Sequence, residues 1–316
     1  MAGKTLVFTI CTAEQYPFAQ VLADSLPKTI PFKIGIVGRS EIKDSRVVNF
    51  EQLPFAEIAQ MQQHYDLNTL VAASKPFFAD YFLKQEDINY VIYFDPTVLL
   101  FSDFEAIEQK VAIHDITLTP RLTRKFGKSL YGDEKMFLNT GMYDNGFFAV
   151  NKSQNTSRFL TWWQQRLTDR AYFDVCNGMN HDQLWLNYVP ILFENICINK
   201  NIGWNVGLQN LHERVLTYKN KQWLVNQGAA LAFFNFKEVL GDSPEVKKMI
   251  KEAGAEVLVN DYKARIKQYT SVVPTVFSLR EALNPYSSAL KQGLKKNLKS
   301  IVDTITYFPI YHKITK

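Results

Sequence analysis

The sequence predicts an α/β fold in which a mostly parallel sheet carries helices on both faces. Strand-like apolar runs alternate with helix-like segments from residue 4 to residue 236, the pattern of a sheet wound with crossover helices. The first run, KTLVFTICT at 4–12, reads as a buried strand. At 316 residues, 47% hydrophobic and 14% aromatic, the chain can bury one large core plus an appendage. Ligands of such sheets sit outside the carboxyl ends of strands. The segments to inspect are therefore 11–16, 95–97 and 119–121.

Each element has its own signal. Residues 13–26 continue as a helix with Phe18, Val21, Leu22 and Leu26 apolar, and FKIGIVG at 32–38 is a second strand ending in glycine. A short apolar run at 47–50 and helical segments at 55–64 and 70–83 lead to the strand at 90–94. Residues 115–119 and 146–150 read as further strands, separated by a polar, basic loop at 121–135. A helix carrying Phe159, Trp162, Trp163 and Leu167 follows, then a shorter helix at 181–190, and LAFFNF at 231–236 is the last clear core strand. From about residue 241 the pattern turns helical and basic, without repeats or a low-complexity linker.

Composition excludes several classes. No run of 18 apolar residues exists, and Met1-Ala2-Gly3-Lys4 leads straight into a strand pattern without a signal-peptide core, so a cytoplasmic protein is expected. Cys11, Cys176 and Cys197 have neither metal-ligand spacing nor an even count, which predicts reduced thiols. Residues 241–316 carry 13 Lys and Arg against 7 Asp and Glu, while residues 1–240 carry 23 against 24. Basicity confined to the tail argues against a nucleic-acid partner.

Four segments carry a resemblance. ASKPFFADYFL (73–83) precedes VIYFDPTVLLF (91–101); NTGMYDNGFFAVNKS (139–153) is followed by FLTWW (159–163); HDQLWLNYVP (181–190) and GWNVGLQNLHER (203–214) complete the set. In this order and spacing they resemble bacterial GT-A glycosyltransferases related to the retaining family 8 type, over residues 5–240. The resemblance implies a Rossmann-like GT-A catalytic domain, a mostly parallel mixed sheet flanked by helices, over residues 1–240, and a basic helical extension over 241–316. It implies transfer of a hexose from a nucleotide sugar, UDP foremost, to a glycan or lipid-linked acceptor in surface polysaccharide or glycoconjugate assembly, with retention. Same-face attack needs no protein nucleophile, and the leaving diphosphate can itself take the acceptor proton. An inverting enzyme would instead need a carboxylate base, Asp182 or Glu213.

The same resemblance assigns residues. The family's D-x-D strand end reads Asp95-Pro96-Thr97 here, and its late F-H-F strand reads Phe234-Asn235-Phe236. Asp95 and Asn235 remain the candidate metal ligands, but two expected donors have become neutral oxygens. Hard cations want oxygen-rich coordination, so a manganese or magnesium cofactor is expected to be weak or dispensable. The diphosphate charge then falls to Lys75 of the K-P pair and to Arg121 and Lys237, which stand where the resemblance implies His and Ser; Arg124, Lys125 and Lys128 are further cations. Thr9, Cys11, Thr12 and Tyr16 are expected against base and ribose, with Asp95 and Thr97, while Asn145 and Gly146 approach the sugar. The D-Q pair, Asp182 and Gln183, is expected with Lys75 at the reacting centre, and Trp204, Asn205, His212, Glu213 and Arg214 in the acceptor cleft.

Plain structural readings stand beside these. Asp95 caps a strand end before proline, Asp182 suits a helix N-terminus, and Asn145-Gly146 is ordinary turn chemistry. Tyr16 and His212 serve equally as packing residues. His64, His114 and His181 show no ligand spacing, and Trp162, Trp163, Trp185 and Tyr188 read as core. In the tail, Leu290, Leu294, Leu298, Ile301 and Ile305 recur at helical spacing opposite Lys291, Lys295, Lys296 and Lys299. This predicts an amphipathic helix over 286–306, docked on the domain or drawn to anionic lipid at the inner face of the cell membrane. The rival functions are a non-catalytic relative binding nucleotide or glycan, and a nucleotidyltransferase. The latter would need a glycine-rich basic loop after the first strand, where CTAEQY has no glycine.

Overall fold

The computed structural model describes residues 4–125, 134–175, 178–274 and 298. Its elements are β1 (Lys4–Cys11), α1 (Tyr16–Ser25), β2 (Phe32–Ile36), β3 (Val47–Asn49), α2 (Glu57–His64), α3 (Leu67–Ala73), α4 (Lys75–Leu83), β4 (Ile88–Phe94), β5 (Val98–Leu100), α5 (Phe104–Val111), β6 (Ile116–Pro120), α6 (Glu134–Thr140), β7 (Tyr143–Asn151) and α7 (Gln154–Leu167). Then come β8 (Phe173–Asp174), β9 (Met179–Asn180), α8 (Val189–Leu192), β10 (Ile196–Ile198), β11 (Val206–Gly207), β12 (Leu216–Lys219), β13 (Gln222–Val225), β14 (Ala229–Ala230), β15 (Phe233–Asn235), α9 (Pro244–Glu252) and α10 (Glu256–Ile266).

The expected α/β architecture is present. Seven strands form the central sheet in the order β10-β6-β7-β4-β1-β2-β3. Its neighbours pair in parallel except at β7, which runs antiparallel to both β4 and β6. Because side chains alternate along a strand, β1 sends Leu6, Phe8 and Ile10 to one core and Val7 and Cys11 to another. The first core takes Phe77, Phe78 and Phe82 of α4 with Phe159 and Trp163 of α7. The second takes Ala19 and Leu22 of α1 with Phe104 and Ile107 of α5. Helices thus cover both faces. The close seating of α4 requires Gly35, where an added Cβ would lie 2.7 Å from the Phe78 ring.

Prolines decide two boundaries. The helical segment at 70–83 divides at Ser74, because Pro76 lacks the N–H and has the ring bulk that together prevent a helix from running through it. The segment at 181–190 is not one helix. Leu184–Tyr188 are 3-10 turns, and Pro190 occupies the first turn of the short α8.

The last core strand, β15, lies outside the seven-stranded sheet. It pairs in parallel with β11 and antiparallel with β5, which sets Asn235 opposite Val98. Behind this second sheet, α9 and α10 close a third core in which Tyr262 stacks on Phe236 at 3.8 Å and on Phe18 at 6.5 Å. Residues 241–274 therefore share a core with α1, and the compact unit runs from Met1 to Ser278, past the composition change at 240. A second unit comprises Leu279–Lys316. The expected amphipathic helix at 286–306 lies, apart from Leu298, outside the described residues. Among the described residues, no helix is long and apolar enough to cross a membrane.

Candidate functional site

β1, β4 and β6 run the same way, since β7 reverses direction between β4 and β6. Their carboxyl ends consequently share one edge, and several of the predicted polar residues gather there in three connected groups.

Asp95 follows β4 directly, with its N–H donating to the Gly146 carbonyl at 2.8 Å. Its Oδ1 accepts from the Thr97 N–H at 3.2 Å, and the Thr97 hydroxyl lies 2.8 Å away. The same hydroxyl is 2.8 Å from Asn235 Oδ1, which accepts the Lys237 N–H at 3.0 Å. Pairing of β15 with β5 is what unites these distant segments. Asp95 Oδ2 faces Lys237 Nζ at 3.4 Å. Burial opposes the charged carboxylate, but Lys237, Lys75 and the Thr97 hydrogen bonds outweigh it and hold the Asp95 pKa below the usual value. Burial likewise opposes the Lys237 ammonium, while Asp95, Glu238, Asp182 and Asp144 raise its pKa overall.

The second group is centred on Asp182, which is fully buried. Lys75, at the start of α4, donates to Asp182 Oδ2 at 2.7 Å and to the Asn145 carbonyl at 3.0 Å, with its ammonium 5.1 Å from the Tyr93 ring centre. Asn145 Nδ2 donates to Asp182 Oδ1 at 2.7 Å. Lys75 is thus directed inward, with two donors committed, and is not the open phosphate-facing cation that its sequence position suggested. Gln183 donates to the Thr140 carbonyl, as does Asn180.

The third group holds a residue that sequence reading missed. Asp144 Oδ1 accepts from the Gly146 N–H at 2.8 Å and from Asn205 Nδ2 at 3.0 Å, and Asn205 also donates to the Thr119 hydroxyl at 2.9 Å. Asn205 has a φ of 47°, a left-handed conformation that asparagine tolerates better than most residues. Gly146 is required by space: an added Cβ would lie 2.4 Å from Asn235 Nδ2 and 2.8 Å from Asp144 Oδ1. Asp144 adjoins the Asn145-Gly146 pair, and that adjacency was the available signal. Glu238 is a further titratable residue next to these groups in the sequence, beside Lys237. Burial raises its pKa while Lys237 and Arg121 act to lower it.

Arg121 is buried; it donates to the Thr140 hydroxyl at 2.6 Å and the Gly141 carbonyl at 3.3 Å, and it lies 5.2 Å over the Phe137 ring. Burial lowers its pKa against the pull of Asp144 and Glu238.

Several expected contacts are placed elsewhere. Thr9 is buried inside β1, and Cys11 is packed in the core, where burial and then Asp95 push its thiol pKa far up. Thr12 begins the turn after β1. Tyr16 donates to Asp44, whose carboxylate also holds Arg46 at 2.6 Å, so its hydroxyl has a protein partner. Trp204 is core rather than cleft, edge-on to Phe147 at 5.6 Å and 5.5 Å from Phe233. Arg214 is buried and donates to the Trp204 carbonyl at 2.9 Å; burial lowers its pKa to about 10. Glu213 accepts from the Thr123 N–H and hydroxyl and from the Arg124 N–H, which fixes the start of the basic loop. His212 lies 6.3 Å from Phe137, and burial lowers its pKa. Of the expected acceptor residues, Asn205 hydrogen-bonds into the third group. Arg124 and Lys125 are exposed, while Lys128 falls outside the described residues.

No family model matches the chain. The uncharacterized protein YfnF of Bacillus subtilis (strain 168) is 27% identical over 96 residues, 30% of this chain and 32% of that protein, so the match spans about a third of the relative's length. Solved structures similar to the chain include glycosyltransferases. The galactosyltransferase LgtC, in complex with donor and acceptor sugar analogs, is similar over 83% of this chain and 99% of its own, at 12% identity and a TM-score of 0.45. A glycosyltransferase involved in glycosylation of the major capsid of PBCV-1 covers 79% and 99%, at 7% identity and 0.43. The glycosyltransferase GlyE of Streptococcus pneumoniae TIGR4 covers 85% and 64%, at 12% and 0.43. With TM-scores below 0.5, these likenesses leave the chemistry to be read from the chain's own residues.

Proposed function

We propose that the chain is a glycosyltransferase that moves a hexose from a nucleotide sugar, with UDP the expected carrier, to a glycan or lipid-linked acceptor, with retention. The observation that carries this reading is the meeting of Asp95, Lys237, Asn145, Asp182, Asp144 and Asn205 at the carboxyl edge of a mostly parallel sheet. The acidic and amide side chains suit sugar hydroxyls, which donate and accept at once. The Lys237 ammonium suits a leaving diphosphate.

In this reading the diphosphate lies toward Lys237 and the sugar toward Asn145. Asp182, sealed beneath Lys75 and Asn145, acts electrostatically as positive charge grows at the anomeric carbon. It also fixes the Asn145 amide. A buried carboxylate so occupied is poorly placed to take a proton from an acceptor, which favours proton transfer to the departing phosphate.

A thermal-shift screen with UDP-, GDP-, CMP- and TDP-sugars, each in EDTA and in manganese, tests donor binding, since a native-state ligand raises the melting temperature. A rise with one donor family is expected, followed by detectable sugar release or transfer. No shift with any donor would sink the reading. Binding without turnover across a broad acceptor panel would instead favour a non-catalytic nucleotide-binding relative.

A further inference from the structure

We infer that the Lys237 ammonium, seated on Asp95, is a resident cation that replaces a divalent metal beneath the donor diphosphate, so that Asp95 positions a lysine rather than a metal ion. This deepens the proposed function and rests on its nucleotide donor.

The donor set is the first ground. A hard divalent ion is held by several oxygens, carboxylates prominent among them. Here Asp95 is the one carboxylate of the set, and its Oδ1 accepts the Thr97 N–H while lying 2.8 Å from the Thr97 hydroxyl. Asn235 Oδ1 accepts the Lys237 N–H and contacts that same hydroxyl. Among the described residues, no group of three His, Cys, Asp or Glu side chains could hold a metal ion. The remaining strong donor, Asp95 Oδ2, already faces an ammonium at 3.4 Å. A divalent ion there would stand against a like charge at close range. The residues present do not fit the metal.

They do fit the lysine. The backbone of Lys237 is fixed through Asn235, its ammonium is directed by Asp95, and its side chain is 34% exposed. Lys75, by contrast, is 3% exposed and consumed by Asp182. Lys237 is therefore the site lysine with an open face, and the surrounding carboxylates keep it charged. An ammonium has three donors and Asp95 occupies one, leaving donors for phosphate oxygens. The arrangement is a point charge prepared before the ligand arrives.

The test is calorimetric binding of UDP, GDP and TDP to the full chain, in EDTA and in manganese, with wild type, Lys237→Met and Lys237→Arg. The expected result is wild-type affinity for one diphosphate that changes less than about twofold between buffers, a loss of about tenfold or more in Lys237→Met, and substantial recovery in Lys237→Arg. Thr97→Asp combined with Lys237→Ser should acquire manganese binding, visible as loss of the free-ion electron paramagnetic resonance signal without any turnover. Wild-type binding that vanishes in EDTA and returns with manganese, while Lys237→Met binds normally, would overturn the lysine assignment and leave the nucleotide reading intact. Absence of binding by all three diphosphates in both buffers would defeat both.

Discussion

Replacing Lys75 with methionine keeps most of the side-chain length and removes the charge from a buried pair whose side chains are 3% and 0% exposed. At 2.7 Å the gross attraction is about 6 kcal/mol for an effective dielectric of ~20, most of it offset by desolvation of both ions. What the variant exposes is the cost of leaving Asp182 sealed without its counter-charge, about 3–5 kcal/mol for such pairs. The Asn145 amide still donates to Asp182 at 2.7 Å, which places the expected loss near 3 kcal/mol. Urea unfolding at pH 7 of Lys75→Met, Asp182→Asn and the double variant measures it. The double variant should be less destabilised than the sum of the singles by about 2 kcal/mol. A single-variant loss under about 1 kcal/mol with additive behaviour would refute the buried-pair account. In a transfer assay, Lys75→Met should lower kcat with the donor KM little changed; a rise in KM alone would make Lys75 a donor-binding cation.

Gly146→Ala must drive a methyl carbon into Asn235 and Asp144, so a loss of about 1–3 kcal/mol by thermal unfolding and at least tenfold weaker donor binding are expected. Hydrogen bonds from Arg46 hold the Asp44 carboxyl well below its ordinary 3.8, against an opposing burial effect. Because the folded pKa is depressed, this stability is present above the unfolded pKa and lost as pH falls below about 4. Asp44→Asn should cost about 1–2 kcal/mol at pH 7 and flatten the acid limb of a stability profile between pH 7 and 2.5. Glu213→Ala releases the N–H groups of Thr123 and Arg124, and trypsin should cut after Arg124 faster than in wild type; equal rates would show that other contacts hold the segment. Cys11 should resist iodoacetamide at pH 8 in the native protein, by peptide mapping, and react once urea unfolds it.

The sheet was legible because its strands carry their burial in their composition: β1, β4 and β7 are recognisable as apolar runs of the right length. Pro76 and Pro190 shortened helices that periodicity alone prolongs. The site was legible at Asp95, immediately beyond β4, because a strand's end fixes where its next residue stands, and at Asn145, among the first residues of β7. Side-chain direction was not. Lys75 turns inward to a carboxylate 107 positions away, and no local pattern announces that partner. Trp204 and Arg214 were drawn into the cleft by their segment, yet Trp204 supplies core volume and Arg214 supplies a buried donor to its carbonyl. Asp144 escaped notice because its partner, Asn205, is brought close only by tertiary folding.

The contact between Thr97 and Asn235 spans 138 positions, which gives the site a history within synthesis. At the usual 5–20 residues per second, Thr97 leaves the ribosome roughly 7–28 s before Asn235 follows. Throughout that interval β1, β4 and their helices can collapse together, while Asp95 has no Lys237 to oppose it and must keep its water. The counter-charge that faces Asp95 thus reaches the rim only with the residues that follow the last core strand.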